Sequence, residues 1–402
     1  MNSENLTLFE TQIENELKNN ILKFWIDNTQ DFKNGGFFGY ISNDLAIGAD
    51  HDKASVLNFR ILWTFASAYR FYKEDKYLAV ARRAFGYIKD HFIDPVYSGV
   101  YWLLDSSGKA IDTKKQVYSV AFAIYGLSEF YRVTGDSDAL SLAIELFESI
   151  ENHARDLKNK GYLEALSRDW SPLADMSLSP NDMNVAKSMN THLHILEAYT
   201  NLLRIWDTPA LRNSLKELLE VMLDYIVDNR TWSFKLFFDK DWSSRADITS
   251  YGHNIEGSWL IYEAAEVLGD VPILNRAETI AVNMAEKVLQ NGIDEVYGGI
   301  YNDKQGIHLD DRKDWWPQAE AVVGFFNAYQ LTGNEKYLEA AYKVWEFINN
   351  LISDRTHGEW VWGVTRDGGE ITKDEKVGPW KCPYHNSRMC FEIIARAGKL
   401  LN

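Results

Sequence analysis

The sequence predicts an all-α fold, a toroid of six inner and six outer helices, or (α/α)6 barrel, with short β-hairpins on one face. Three observations predict it. Segments beginning at Ala68, Phe130 and Ala328 align without gaps, each placing a tyrosine (Tyr69, Tyr131, Tyr329) before a leucine (Leu78, Leu140, Leu338) at one spacing. Six short aromatic-rich stretches recur in step with them. An unpaired helical segment stands at each end of the chain, and docking the two together completes a closed ring.

In chain order, LFETQIENELKNNILKFWI is the unpaired N-terminal helix, and GGFFGYISNDL is the first β-like stretch. LNFRILWTFASAY ends at a short turn and continues into an amphipathic helix through DHF, the first helix pair. SGVYWLLDSSGKAI precedes the second pair, and GYLEALSRDWSP precedes the third, NTHLHILEAYTNLLRIW with LRNSLKELLEVMLDYIV. WSFKLFFDKDW leads to NIEGSWLIYEAAEVLG with LNRAETIAVNMAEKVLQ, and YGGIYNDKQGIHL leads to the pair that begins at WWPQAEAVV. GEWVWGVTRDGGEI is the sixth β-like stretch, followed by the lone helix YHNSRMCFEIIARAGKLL. The first helix of each pair carries more small and aromatic residues and fewer charges, so it is the inner one. All six inner helices then run parallel, with their N-termini on the hairpin face, where positive dipole ends favour hydroxyl-rich or anionic ligands. No Pro/Gly/Ser-rich linker breaks the period, so residues 1–402 read as a single catalytic domain. The longest irregular stretch, 171–187, is expected to lie as a loop over that face.

With 46% hydrophobic residues the chain can bury a large core. Its net charge of −16 argues against nucleic acid or an anionic membrane as partner. The N-terminal stretch is polar and has no signal-peptide core, and no apolar run is long enough to span a membrane. Cys382 and Cys390 give neither a disulfide framework nor zinc spacing. A cytoplasmic protein acting as a monomer is expected, with a dimer as the alternative.

The opening turns of the inner helices hold Arg60, Tyr118, Asn190 with His194, His253 with Glu256, Trp316 with Glu320, and His385 with Arg388. In MNTHLHIL only one histidine can face the hollow, because adjacent-but-one residues on a helix point about 200° apart. Asn190, His194 and Glu197 share one stripe, so His194 belongs to the site and His192 to the structure. His253 and Glu256, three apart, are placed for the carboxylate to orient the imidazole; a capping histidine beside a solvated glutamate is the plain alternative. His385 and Arg388 repeat that spacing, with an ion-paired surface face as their plain alternative. His51, His91, His153, His308 and His357 fall in loops or outer helices. Trp316 and Trp380 read either as platforms for a sugar ring or as rim packing.

Histidines with an arginine and no metal cluster suit proton transfer next to a carbonyl, where imidazole works near neutral pH. Inverting that carbon needs a second group on the opposite face, and an arginine such as Arg60 stabilises the enediolate oxygen. A glycosidase would instead centre on two carboxylates, for which Glu256, Glu320, Asp311 and Asp314 are candidates. A non-catalytic sugar-binding module is a third reading.

KSMNTHLHILEAYTNL, SYGHNIEGSWL, WWPQAEAVVGFFNAY and WKCPYHNSRMCFEII, with LNFRILWTFASAY, resemble the signature segments of the cellobiose 2-epimerase family, within the N-acylglucosamine 2-epimerase superfamily. The likeness runs from about Phe24 to the C-terminus. It implies an (α/α)6 barrel that interconverts glucose and mannose units at the reducing end of β-1,4-linked disaccharides such as cellobiose and lactose, with no metal or other cofactor. By that resemblance His385 and His253 are the acid–base pair at C2, and His194 assists ring opening. Arg60, Tyr118, Asn190, Glu256, Trp316 and Trp380 surround the sugar, and Glu320 stands with the binding residues. GHNIEGSW departs from the GHDIEASW of many relatives at Asn254 and Gly257. A monosaccharide aldose–ketose isomerase or an N-acylglucosamine 2-epimerase remains the neighbouring alternative.

Overall fold

The computed structural model describes residues 3–48, 50–180, 182–369, 371 and 374–401. Its inner layer is α3 (Ser55–Tyr72), α5 (Val117–Thr134), α7 (Met189–Leu203), α9 (Tyr251–Leu268), α11 (Trp315–Thr332) and α13 (Tyr384–Leu401). Each packs on the next, and α13 packs back on α3, so the ring is closed. The outer layer is α4 (Asp75–Tyr87), α6 (Ser137–Ser149), α8 (Pro209–Val221), α10 (Val271–Asn291) and α12 (Glu335–Phe347). Its sixth member is the N-terminal helix, α1 (Ser3–Glu16) continuing through a π-turn at Leu17–Leu22 into α2 (Lys23–Asn28), and α1 docks on α13 as the sequence predicts. Inner helices are apolar almost all round because both faces are covered. In α3 every residue from Ser55 to Ala68 is buried.

The β-like stretches form short hairpins, such as 103–104 with 110–112 and 303–305 with 308–310, and they also pair from one repeat to the next. The residues just before an inner helix pair antiparallel with the following β-like stretch: 53–54 with 103–104, 115–116 with 165–166, 187–188 with 237–238, 248–250 with 303–305 and 313–314 with 363–364. The sixth pairing joins the chain's two ends, with the Ile41 N–H donating to the Val377 carbonyl at 3.0 Å and the Val377 N–H donating back at 3.1 Å. Each link ties one repeat to the next, so all six inner N-termini are held on one face.

A buried ion pair supports this face in five repeats. Lys53 pairs with Asp31, Lys115 with Asp94 and Lys187 with Asp156, each at 2.9 Å, Lys313 with Asp294 at 3.0 Å, and Lys376 with Asp354. Each aspartate also accepts from backbone N–H groups of its own turn, which satisfies the buried charge.

Candidate active site

The inner N-termini surround a cavity of about 210 Å³ lined by Arg60, Tyr118, Asn190, His194, His253, Glu256, Trp316, Trp380 and His385. Nine of the ten residues that the sequence assigns to catalysis or sugar binding therefore line one cavity. The tenth, Glu320, lies fully buried behind His385. The 171–187 stretch contributes Leu178, Ser179 and Asp182, and Trp315 and Trp362 add further aromatic wall. Asp311 and Asp314 are not among the lining residues.

The three histidines share one arrangement. His194 Nδ1 lies 3.0 Å from Glu197 Oε2, His253 Nδ1 lies 2.9 Å from Ser250 Oγ, and His385 Nδ1 lies 2.7 Å from Glu320 Oε1. None of the three Nε2 atoms has a hydrogen-bond partner among the described residues, and all three rings line the cavity. Tying Nδ1 fixes ring orientation and leaves Nε2 for chemistry. Burial lowers the pKa of His194 to about 4 and that of His253 to about 3, so both are neutral at pH 7. His192, on the opposite side of α7, is spent on structure. Its Nε2 accepts from the Tyr162 N–H at 2.9 Å, which leaves Nδ1–H to donate to the Ser188 carbonyl at 2.6 Å.

The expected pairing of His253 with Glu256 does not form. Glu256 turns to Arg388, whose Nη2 stands 2.6 Å from both Glu256 Oε1 and Glu320 Oε1 while Nη1 binds Glu197. A guanidinium arriving from across the ring outcompetes a neutral imidazole for a buried carboxylate. Arg388 is thus buried beneath the site and is not part of a surface ion-paired face. Burial, then repulsion from Glu320, raises the pKa of Glu256 above the ordinary carboxylate range, and Arg388 opposes that rise. Glu197 is held near 2, because Arg388 and His194 outweigh its burial. Burial likewise raises Glu320, but Arg388, Trp259 and His385 all hydrogen-bond to it and support its charge.

Glu256, Glu320 and His385 are the one trio among the described residues whose atoms lie close enough to share a metal ion. The Arg388 guanidinium already stands between the two carboxylates, so the cation position is filled from within the chain.

Arg60 is the opposite case. It is buried, it has no carboxylate partner among the described residues, and its Nη2 donates to the Tyr118 hydroxyl at 2.7 Å. Its guanidinium lies over the rings of Phe122 and Tyr384, at 4.3 and 4.7 Å. An uncompensated cation on the cavity wall favours negative charge on a bound oxygen. Trp316 sits between the two acid–base candidates, with ring centroids 4.7 Å from His253 and 5.6 Å from His385. Gly252 admits this indole, since a Cβ there would stand 2.6 Å from Trp316 Cη2.

The family model described as N-acylglucosamine 2-epimerase (GlcNAc 2-epimerase) matches residues 36–388. The chain belongs to this family. It is 44% identical to a cellobiose 2-epimerase of Bacteroides fragilis over 96% of this chain and 99% of that protein. A solved sugar epimerase from a ruminal bacterium superposes with a TM-score of 0.93 at 41% identity, covering 96% of this chain and 99% of the other. The solved cellobiose 2-epimerase of Bacillus thermoamylovorans B4167 gives the same TM-score at 37% identity, covering 97% and 100%. These likenesses agree with the ring and with the family resemblance read from the sequence motifs.

The sequence reading missed Arg388 as the hub of three carboxylates and Glu320 as the partner of His385. Both are contacts between helices distant in sequence, which helical spacing alone does not reveal. It also passed over Trp259, whose indole N–H donates to Glu320 Oε2 at 3.0 Å.

Proposed function

We propose that this chain is a cellobiose 2-epimerase, one catalytic unit spanning the whole chain and acting as a cytoplasmic monomer. It inverts C2 of the reducing-end glucose of β-1,4-linked disaccharides. The observation that carries this reading is the set of three imidazoles, each tied at Nδ1 and open at Nε2, around a cavity that also holds an unpaired arginine. Curated relatives carrying that name support the substrate class.

In this reading His253 and His385 stand on either side of the sugar's C2. One takes the C2 proton, the other returns a proton on the opposite face, and the roles exchange in the reverse direction. Burial and the nearby Arg60 and Arg388 hold the pKa of His385 well below the ordinary histidine value, so it too rests neutral. Glu320 at its Nδ1 steadies the positive charge the ring takes on when it receives a proton, whereas His253 has only the Ser250 hydroxyl. Arg60, with Tyr118, stabilises the oxygen that becomes negative in the enediolate. His194, backed by Glu197, moves the ring proton when the pyranose opens and closes. Trp316 and Trp380 hold the sugar faces, and Asn190 offers a buried Oδ1 that has no partner among the described residues.

A two-carboxylate glycosidase is disfavoured, because Glu256 and Glu320, the glutamates of the inner-helix opening turns, are both tied to the one Arg388 guanidinium. Incubation with cellobiose and with lactose, with no added metal, followed by NMR of the products tests the proposal. Glucosyl-mannose and epilactose are expected. Free monosaccharides, or a ketose as the main product, would overturn it.

A further inference from the structure

The fourth repeat lacks the lysine that the other five bury. In those repeats the ammonium reaches its aspartate, and Lys53, Lys187, Lys313 and Lys376 also donate to a carbonyl of the same turn, that of Gly35, Lys160, Gly298 and Gly358. The corresponding position here is Thr249, two residues before α9. Asp228, the turn aspartate, is taken instead by the exposed Arg230, at 3.2 and 3.0 Å. The vacated space is a cavity of about 440 Å³ between this strand, the 228–233 turn and α10.

Its lining is rich in donors. Thr249, Tyr251 and Asn254 contribute from the strand and the first turn of α9, and Arg230, Lys287 and Lys304 surround them. Asn254 is 1% exposed, and its Oδ1 is used by the Phe234 N–H at 2.8 Å. That leaves the Asn254 Nδ2 with no partner among the described residues. The Tyr251 hydroxyl, on a residue 5% exposed, has none either. Arg230 is neutralised by Asp228, but Lys287 and Lys304 make no ion pair among the described residues. Two ammonium groups with no ion pair among the described residues, beside two largely buried residues whose donors line the cavity, are an unusual concentration on a chain of net charge −16.

We propose that this cavity, on the side of α9 away from the ring hollow, is a binding site for a phosphoryl oxyanion, either free phosphate or the phosphate of a phosphorylated sugar. Such a group offers acceptors in several directions and no donors that would clash with this lining. The site is independent of the sugar cavity: Tyr251 and Asn254 face it, whereas His253, between them in sequence, faces the ring hollow.

Calorimetric titration of the full chain with inorganic phosphate, glucose 6-phosphate and glucose tests this. Saturable phosphate binding is expected, weakened about tenfold or more by Lys287→Ala, the loss of one charge-assisted hydrogen bond. Thr249→Lys restores the residue used by the other repeats, fills the cavity and should remove the binding. Equal affinity for phosphate and glucose 6-phosphate assigns the site to the free oxyanion. An advantage for glucose 6-phosphate beyond what glucose itself shows assigns it to a phosphorylated sugar. Absence of saturable phosphate binding in the wild-type protein, or binding that survives Thr249→Lys, overturns the proposal. If Thr249→Lys does not fold, binding left unchanged by Lys287→Ala combined with Lys304→Ala overturns it equally.

Discussion

Replacing Glu320 with glutamine probes how the site holds His385. The carboxylate receives three donors: His385 Nδ1 at 2.7 Å and Arg388 Nη2 at 2.6 Å on Oε1, and Trp259 Nε1 at 3.0 Å on Oε2. Glutamine has one acceptor oxygen and one NH2 donor, so in either orientation a donor faces a donor. With the amide nitrogen toward Trp259, a buried indole N–H is stranded, at a cost of about 1–3 kcal/mol. With it toward His385, the ring must move its proton to Nε2, and the lone pair needed at the cavity is lost. Arg388 keeps Glu197 and Glu256, so the fold should survive. Initial rates on cellobiose, with thermal unfolding as the control, are expected to show turnover lower by about 10²–10⁴, the range for one acid–base group. The Michaelis constant should change far less. A folded Glu320→Gln protein that turns over like the wild type would refute the claim that this carboxylate sets the state of His385.

Three further outcomes are expected. Trp316→Ala and Trp380→Ala should each raise the Michaelis constant for cellobiose; variants that bind and turn over normally would reduce both tryptophans to packing. Gly257→Ala should destabilise the protein by about 1–3 kcal/mol through overpacking, since its Cβ would stand 2.1 Å from Phe234 Cζ; Phe234→Leu should recover part of that loss in denaturant unfolding, and an unchanged midpoint for Gly257→Ala would contradict the geometry. His192, His194 and His253 are lowered to about 4, 4 and 3 by burial, whereas in the unfolded chain they titrate near 6.5. The unfolded state therefore binds more protons below pH 6.5, and stability should fall as pH drops from there toward 4. His192→Gln keeps an acceptor for the Tyr162 N–H, as Gln318 does for the Ile300 N–H at the matching helix position, and should flatten that slope; an unflattened slope would contradict the assignment.

The ring was legible because its repeat is written in apolar periodicity, and the site because its residues recur in the opening turns of inner helices. Helical spacing separated His194 from His192 correctly. It failed for His253 and Glu256, because i, i+3 proximity competes with partners from other helices, and Arg388 offers Glu256 a full charge. The Lys–Asp pairs stood in plain view, with a lysine two residues before four of the inner helices. They carry no apolar periodicity, however, and a lysine reads by default as exposed. The linking of each strand to the next repeat was hidden because two-residue strands leave almost no alternation to detect.

The central claim is that two imidazoles exchange a proton at C2, and isotope incorporation tests it most directly. Imidazole protons exchange with solvent, so the epimer formed from cellobiose in D₂O should carry deuterium at C2 of the reducing-end sugar, seen as loss of that proton signal by NMR. His253→Ala and His385→Ala should each nearly abolish both the label and the epimer. Epimer made in D₂O with protium retained at C2 would contradict the account.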